Sequence, residues 1–234
     1  MSSKKLGTRK NKLLAIGGVL VALLVVGVAV GPWAYAKLVV GDQPDELALP
    51  ASDATAKADP SAPQDALDGT WSVGGDSTAG YRVAEVLFGR DVTVVGRTSQ
   101  VDGGAEVAAG VLDKTEVTVD LASVATDEAR RDAQYRDRIM DTDTYPTATF
   151  TQTAPVDLPA TSGRFTVTVP GQLSVRGVTR DVSVDLDVQA AADRIDVAGS
   201  IEVTFADYDI PEPGFAGISV DDHGTIEFLL QLDR

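Results

Sequence analysis

The sequence predicts an all-β domain, built as a sandwich or a closed barrel of antiparallel strands. Apolar and polar residues alternate with a period of two in many segments of the second half, which is typical of half-buried antiparallel strands. Glycine and proline residues separate these segments, as they do at turns. A single segment shows helical periodicity instead. The chain has 234 residues, enough for one sizeable domain or two small ones.

The chain begins with a basic stretch and a long apolar segment. Residues 1–12 contain five basic residues and no acidic one, and no charged residue occurs in residues 13–36. As a helix at about 1.5 Å per residue, the apolar segment would be about 36 Å long, which exceeds the ~30 Å hydrocarbon core of a bilayer. The positive-inside rule then predicts a cytoplasmic tail, a transmembrane helix at residues 13–36 and an extracytoplasmic domain attached to the cell membrane.

A cleaved signal peptide is the alternative interpretation of the same segment. Ala34, Tyr35 and Ala36 fit an A-x-A cleavage site. The apolar run is, however, longer than the ~7–15 residues of a usual signal-peptide core. Both interpretations export the domain, and the uncleaved anchor is the one that we prefer.

Residues 37–68 are predicted to form a flexible or partly extended linker. They contain four prolines among many alanine, serine and aspartate residues, and no apolar period runs through them. Such a composition does not supply enough apolar bulk to build a core. The folded domain is therefore assigned to residues 69–234.

Nine or ten strands are predicted in this domain. In five of them the apolar residues alternate cleanly and are assigned to the buried face: Val117, Val119 and Leu121; Phe165, Val167 and Val169; Val182, Val184, Leu186 and Val188; Ile201, Val203 and Phe205; Ile226, Phe228, Leu230 and Leu232. The remaining strands are expected near residues 80–88, 91–101, 104–112 and 148–155. Gly103 and Gly104 are assigned to a turn between two of these strands.

One short amphipathic helix is predicted over residues 127 to about 141. Thr126 is assigned as its N-cap, and the acidic residues that follow suit the positive end of a helix dipole. Pro146 forbids any continuation of the helix. The apolar side chains of this segment share one broad face, opposite the charged ones: Ala129, Ala133, Tyr135, Ile139 and Met140.

Charge and composition restrict the class of function. Six of the 20 basic residues but none of the 35 acidic residues lie in residues 1–40, so the rest of the chain is strongly acidic. Such a surface repels nucleic acid, because phosphate contacts need clustered lysine and arginine. The absence of cysteine excludes disulfides, thiolate metal sites and thiol catalysis.

The residue pattern also argues against an enzyme and against a metal site. The chain has one histidine, His223, which argues against a catalytic triad and a histidine-rich metal site. Asp221 and Asp222 precede a glycine and are assigned to a solvated turn. Ser77 lies in a Gly-Asp-Ser stretch, but no neighbouring histidine is available to activate it as a nucleophile. No catalytic or metal-binding residue is therefore expected, and a hydrolase keeps little support.

The chain contains four distinctive segments, in this order: "GTWSV" with "DSTAGYRVAEVLFGRDVTVVGRT", "TVDLASVATDEARRDAQYRDRIMDTDTYPTATF", "GQLSVRGVTRDVSVDLDV" and "DDHGTIEFLLQL". Together they resemble the YceI-like domain family. The second segment, with Arg-Asp, a short helix and then Tyr-Pro before an A-T-F strand, is the most specific. The resemblance covers residues 69–234. The family often has leucine and phenylalanine in and after the helix, where this chain has Tyr135, Ile139 and Met140.

The resemblance implies a lipocalin-like antiparallel barrel of about eight strands that holds a lipid in its interior. Such proteins carry polyisoprenoid chains, such as an isoprenoid quinone or a polyprenyl-type lipid, outside the inner membrane, and use no cofactor. We therefore expect a membrane-tethered extracytoplasmic lipid-binding protein. The alternative is a non-enzymatic acidic β-barrel that serves as an interaction or structural module at the cell surface.

The helix is expected to form a wall or lid of the lipid cavity, the alternative being that it merely plugs the core. Twelve side chains on the inward faces of the strands and the apolar face of the helix are expected to contact the lipid: Tyr81, Val83, Val119, Tyr135, Ile139, Met140, Phe150, Leu173, Val184, Leu186, Phe205 and Phe228.

Overall fold

The computed structural model describes six stretches of the chain: residues 43–50, 67–87, 89–159, 163–191, 193–212 and 218–234. The transmembrane helix predicted at residues 13–36 and much of the predicted linker lie outside these stretches. Within them, no helix is both long enough and apolar enough to cross a bilayer.

Strands dominate the described residues. They are β1 (Gly69–Val73), β2 (Thr78–Leu87), β3 (Arg90–Thr98), β4 (Val101–Ala108), β5 (Val111–Asp120), β6 (Thr147–Gln152), β7 (Val156–Asp157), β8 (Gly163–Val175), β9 (Val178–Ala190), β10 (Arg194–Thr204), β11 (Ile218–Val220) and β12 (His223–Asp233). One α-helix, α1 (Ala129–Gln134), continues into a π-helical turn, Tyr135–Ile139. Two 3-10 turns, Leu121–Ser123 and Phe205–Tyr208, follow β5 and β10.

Eight of the described strands close into an antiparallel barrel, in the order β1-β4-β5-β6-β8-β9-β10-β12. The circle is completed where β12 returns to β1, with Val73 opposite Leu232. Strand β2 also pairs with β12, and it carries β3 and β11 with it. The predicted all-β antiparallel barrel of about eight strands with one short helix is thus confirmed.

The two ends of the barrel differ, and they are named here by what they carry. The helix end has α1, the β8–β9 turn and the start of β12; Arg176 in that turn donates a hydrogen bond to the carbonyl of Ile139. The far end has the start of β1, the β4–β5 turn and the end of β12. There Asp68 accepts hydrogen bonds from the amides of Ala109 and Gly110.

The prediction of a turn at Gly103 and Gly104 was wrong, because both residues lie inside β4. A Cβ at Gly103 would lie 2.1 Å from the carbonyl oxygen of Glu116 in β5, and a Cβ at Gly104 would lie 2.2 Å from that of Trp71 in β1. The glycines are thus needed where β4 closely approaches the strands on both sides. Glycine inside a strand often marks such an approach rather than the end of the strand.

The helix starts differently from the prediction, which assigned Thr126 as the N-cap. The N-cap is Glu128, whose carboxylate accepts a hydrogen bond from the amide of Arg130 at 2.9 Å. The hydroxyl of Thr126 instead donates to Asp132 at 2.7 Å and accepts from the amide of Glu128 at 3.1 Å. Thr126 therefore orders the chain just before the helix, and α1 begins two residues later than predicted.

Candidate functional site

The barrel interior contains two apolar cavities of about 160 Å³ each. Each offers roughly ten times the space that one water molecule needs by the same measure. The far cavity, towards the far end, has no charged residue in its lining and reaches Leu67 and Trp71. The helix-end cavity lies beneath the helical segment. An apolar interior with this much free space is suited to a hydrocarbon ligand.

The two cavities adjoin, because four side chains line both: Ala79, Val119, Ala148 and Ile226. Val119 and Ala148 are paired across β5 and β6. We call these four residues the neck. Two of the four are alanines, whose small side chains restrict the space between the cavities less than larger residues would.

Three aromatic rings lie where the Cβ atom of a larger residue would be on a neighbouring strand. The ring of Phe228 faces Gly199, directly opposite in β10, where a Cβ would be 2.6 Å from the ring. The ring of Tyr81 is likewise opposite Gly96, with a distance of 2.4 Å. Phe150 reaches Gly171 diagonally, since its direct partner in β8 is Leu173, and a Cβ at Gly171 would be 2.4 Å from the ring. Gly171 and Gly199 let the two phenylalanine rings pack against barrel strands, which leaves more of the lumen free, and Gly96 gives Tyr81 the same room beside β3.

The helical segment forms one wall of the helix-end cavity through Tyr135, Ile139 and Met140. The π-helical turn explains how residues five apart share this wall, because the amide of Met140 donates to the carbonyl of Tyr135 at 2.8 Å. The ring of Tyr135 stacks on that of Tyr81, with centroids 5.3 Å apart and planes inclined by 11°. The stack ties the helical segment to β2.

Polar groups in the lining occur mainly at the helix-end cavity. Burial raises the pKa of the Tyr81 and Tyr135 hydroxyls, so both remain neutral donors at physiological pH. Burial also raises the pKa of Glu85, and the positive charge of Arg131 opposes this shift. Arg131 donates a hydrogen bond to Asp127 at 2.6 Å, so its charge is balanced locally. The lining thus passes from wholly uncharged at the far cavity to partly polar at the helix end.

All twelve residues predicted to contact a ligand line one of these cavities. The far cavity has Phe150, Leu173, Val184, Leu186 and Phe228, the helix-end cavity has Tyr81, Val83, Tyr135, Ile139, Met140 and Phe205, and Val119 belongs to both. Their role in ligand binding stays a prediction, since no ligand is present.

Several lining residues were not among those twelve. Strand alternation had already assigned Phe165, Leu230 and Leu232 to the buried face, so the signal for them was in the sequence. Leu67 gave no such signal, because it lies in the segment predicted to be linker. It closes the far end together with Trp71, whose indole nitrogen donates to the carbonyl of Leu67 at 2.9 Å.

The residues considered for catalysis have structural contacts. Ser77 is only 1% exposed, and its hydroxyl accepts from the amide of Gln231 at 3.0 Å and donates to the carbonyl of the same residue at 3.3 Å. His223 pairs with Asp222 on the surface and precedes Gln231 by eight residues of β12, roughly 25 Å at the rise of a strand. His223 is therefore too far away to activate Ser77. In the described stretches, no three potential ligand side chains are grouped as a metal site would need.

Comparison with known proteins agrees with this architecture. The model of the YceI-like domain family matches residues 73–232. A polyisoprenoid-binding domain from Saccharophagus degradans, implicated in plant cell wall breakdown, is 27% identical with a TM-score of 0.58, over 70% of this chain and 97% of that one. BcnA of Burkholderia cenocepacia shares the fold at 19% identity and a TM-score of 0.52, over 64% of this chain and 95% of that one. A search of curated proteins gave no match. Because the family model spans well over half of its residues, the chain belongs to the YceI-like domain family.

Proposed function

We propose that this protein binds one long-chain isoprenoid lipid inside the barrel, outside the cytoplasm, while residues 13–36 tether it to the membrane. The observation that carries the proposal is the pair of apolar cavities that adjoin at the neck. A slender, unbranched or methyl-branched chain is the ligand shape that would fit both cavities. The polyisoprenoid-binding domain of Saccharophagus degradans, at 27% identity, supports an isoprenoid as the ligand.

The lipid is proposed to lie with its polar head at the helix end and its tail in the far cavity. The far cavity offers no charged partner, whereas Tyr81 and Tyr135, whose hydroxyls stay protonated, line the helix-end cavity. Neutral hydroxyl donors suit a head group with oxygen acceptors, such as the carbonyls of a quinone or the oxygen of a prenyl alcohol. A charged head group is disfavoured, because burial of a charge without a matching partner would cost several kcal/mol of binding free energy.

The energetics of such a ligand favour a protein that works beside a membrane. Burial of a hydrocarbon chain gains ~0.8 kcal/mol per CH₂ relative to water, but a lipid in a bilayer has already gained this free energy. Transfer from bilayer to barrel is therefore close to neutral, and the protein has to meet its ligand at the membrane. A tether raises the effective concentration of the two partners.

The direct test is to purify the full chain from membranes in mild detergent, extract it with organic solvent and identify the extract by mass spectrometry. We expect about one isoprenoid lipid per protein. Adding an isoprenoid quinone to the stripped protein should raise its Tm, because a ligand that binds only the folded state stabilises it. An empty protein that no quinone or polyprenyl lipid stabilises would contradict the proposal and favour the interaction module.

Gly199, which faces the Phe228 ring, allows a test of whether the ligand occupies the far cavity. In Gly199→Ala, the new Cβ would displace the Phe228 ring into the far cavity and should weaken isoprenoid binding by about tenfold, or ~1.4 kcal/mol. It should also lower the free energy of unfolding by about 1–2 kcal/mol through overpacking. Adding Phe228→Leu to Gly199→Ala should restore most of the affinity, measured as the Kd of a fluorescent isoprenoid. Unchanged affinity in Gly199→Ala would show that the ligand does not use this space.

The helical wall provides a second test, with Met140→Asp as the variant. Met140 is buried and lines the helix-end cavity, so a carboxylate there is poorly solvated and opposes an apolar ligand. Because water can enter the adjoining cavity when lipid is absent, we expect lost lipid binding with a folded protein, seen by circular dichroism. Ala129→Asp makes the same charge change at an exposed position of α1 and should affect neither property. Complete unfolding of Met140→Asp alone would identify the helix as a plug of the core.

A further inference from the structure

A buried carboxylate lies on the outside of the barrel. Glu227 is one of the outward-facing residues of β12, yet it is only 3% exposed. Arg97 approaches one carboxylate oxygen at 2.8 Å, and Arg82 approaches the other at 3.4 Å. The residue next to Glu227 on β2 is Gly80, where a Cβ would lie 2.9 Å from Cγ of Arg97. The missing side chain at Gly80 therefore lets Arg97 cross β2 to reach Glu227.

This cluster of Glu227, Arg82 and Arg97 holds a segment from the N-terminal side of the domain, residues 43–50. Arg82 donates a hydrogen bond to the carbonyl of Pro44 at 2.9 Å, and Arg97 donates to the carbonyl of Asp45. The amide of Leu47 donates to Glu227 at 3.3 Å. Leu49, two residues later, is buried. Residues 43–50, the docked segment, thus cover the carboxylate and are held mainly by main-chain contacts.

The docked segment has a defined direction along the barrel. Its first residue, Gln43, donates a hydrogen bond to Asp127, just before α1 at the helix end, at 3.1 Å. The chain is next described at the far end, where Leu67 closes the barrel against Trp71. Gln43, the first described residue of this stretch, therefore lies beside the helix end, and not beside the far end.

Only six residues, 37–42, separate the docked segment from the apolar segment at residues 13–36. Six residues span at most roughly 20–25 Å even when fully extended. Without docking, the whole of residues 37–68 would connect the apolar segment to the barrel. A flexible chain of that length has an r.m.s. span of about 30 Å and would impose no orientation on the barrel. Docking therefore shortens the connection and fixes the side from which it leaves the barrel.

We propose that docking of residues 43–50 on the Glu227 cluster holds the helix end of the barrel against the lipid bilayer, so that the helix-end cavity faces the membrane. The partner of this end is a bilayer surface, and the inference rests on the membrane tether of the proposed function. This orientation accounts for the polar side chains at the helix-end cavity. A lipid that enters tail first through the helix end would place its head beside Tyr81 and Tyr135.

Orientation can be measured in proteoliposomes that contain the full chain. The protein has no cysteine, so Asp143→Cys at the helix end and Asp113→Cys at the far end each provide one site for a fluorophore. Both positions are exposed, and both variants make the same charge change. With a quencher on the lipid head groups, we expect several-fold stronger quenching of the label at position 143 than at position 113.

Two insertions of the same 20-residue glycine–serine sequence test whether docking sets this orientation. An insertion between Lys37 and Leu38 lengthens the connection to the membrane and should abolish the difference between the two labels. The same insertion between Ser61 and Ala62 lies behind the docked segment and should preserve the difference. Neither insertion alters the barrel, so lipid binding in detergent is the control and should remain unchanged.

The possible failures are distinguishable. If the full chain does not float with vesicles, the membrane tether is wrong and the orientation falls with it. If the chain floats but both labels are quenched equally, or if the two insertions have the same effect, the orientation alone is overturned. If lipid binding in detergent is absent in the unmodified chain, the proposed ligand is wrong, and the quenching pattern still decides the orientation.

Discussion

The width of the barrel limits what its interior can hold. An eight-stranded barrel is just wide enough for its inward side chains to fill it or for one slender ligand to pass. Here small residues decide between these outcomes. Ala79 and Ala148 contribute only small side chains to the neck, and Gly199 allows the ring of Phe228 to lie close to β10. Larger residues at these positions would fill more of the interior.

The polar and charged side chains of the cavity lining lie mainly at the helix end, and this asymmetry relates the ligand to the membrane in the proposed arrangement. The far end is closed by Leu67 and Trp71, whereas the helix end has neutral tyrosine hydroxyls and the Glu85 and Arg131 side chains. The docked segment begins at the helix end as well. Ligand head and membrane connection therefore lie at the same end of the barrel in the proposed arrangement.

The strands and most of the cavity lining could be predicted from the sequence. The alternation of apolar and polar residues along a strand indicates directly which side chains face inward. Phe228 and Val184 were assigned to the interior on that basis. Contacts set by distant pairing gave no local signal. Gly103 was assigned to a turn because the close approach of β4 to β1 and β5 cannot be seen in a sequence. The contact of Leu47 with Glu227 likewise joins residues 180 positions apart. The proline-rich composition of residues 37–68 indicates that the segment has little structure of its own, but it does not indicate on which surface part of the segment packs.

In the proposed arrangement the two cavities form one site for a single chain. This arrangement can be tested by a crystal structure of the protein with a bound long-chain isoprenoid quinone. We expect continuous density for one chain through the neck, between Val119 and Ile226, with the tail against Trp71 and the head at Tyr135. Density confined to one cavity, two separate ligands or a chain bound outside the barrel would contradict it.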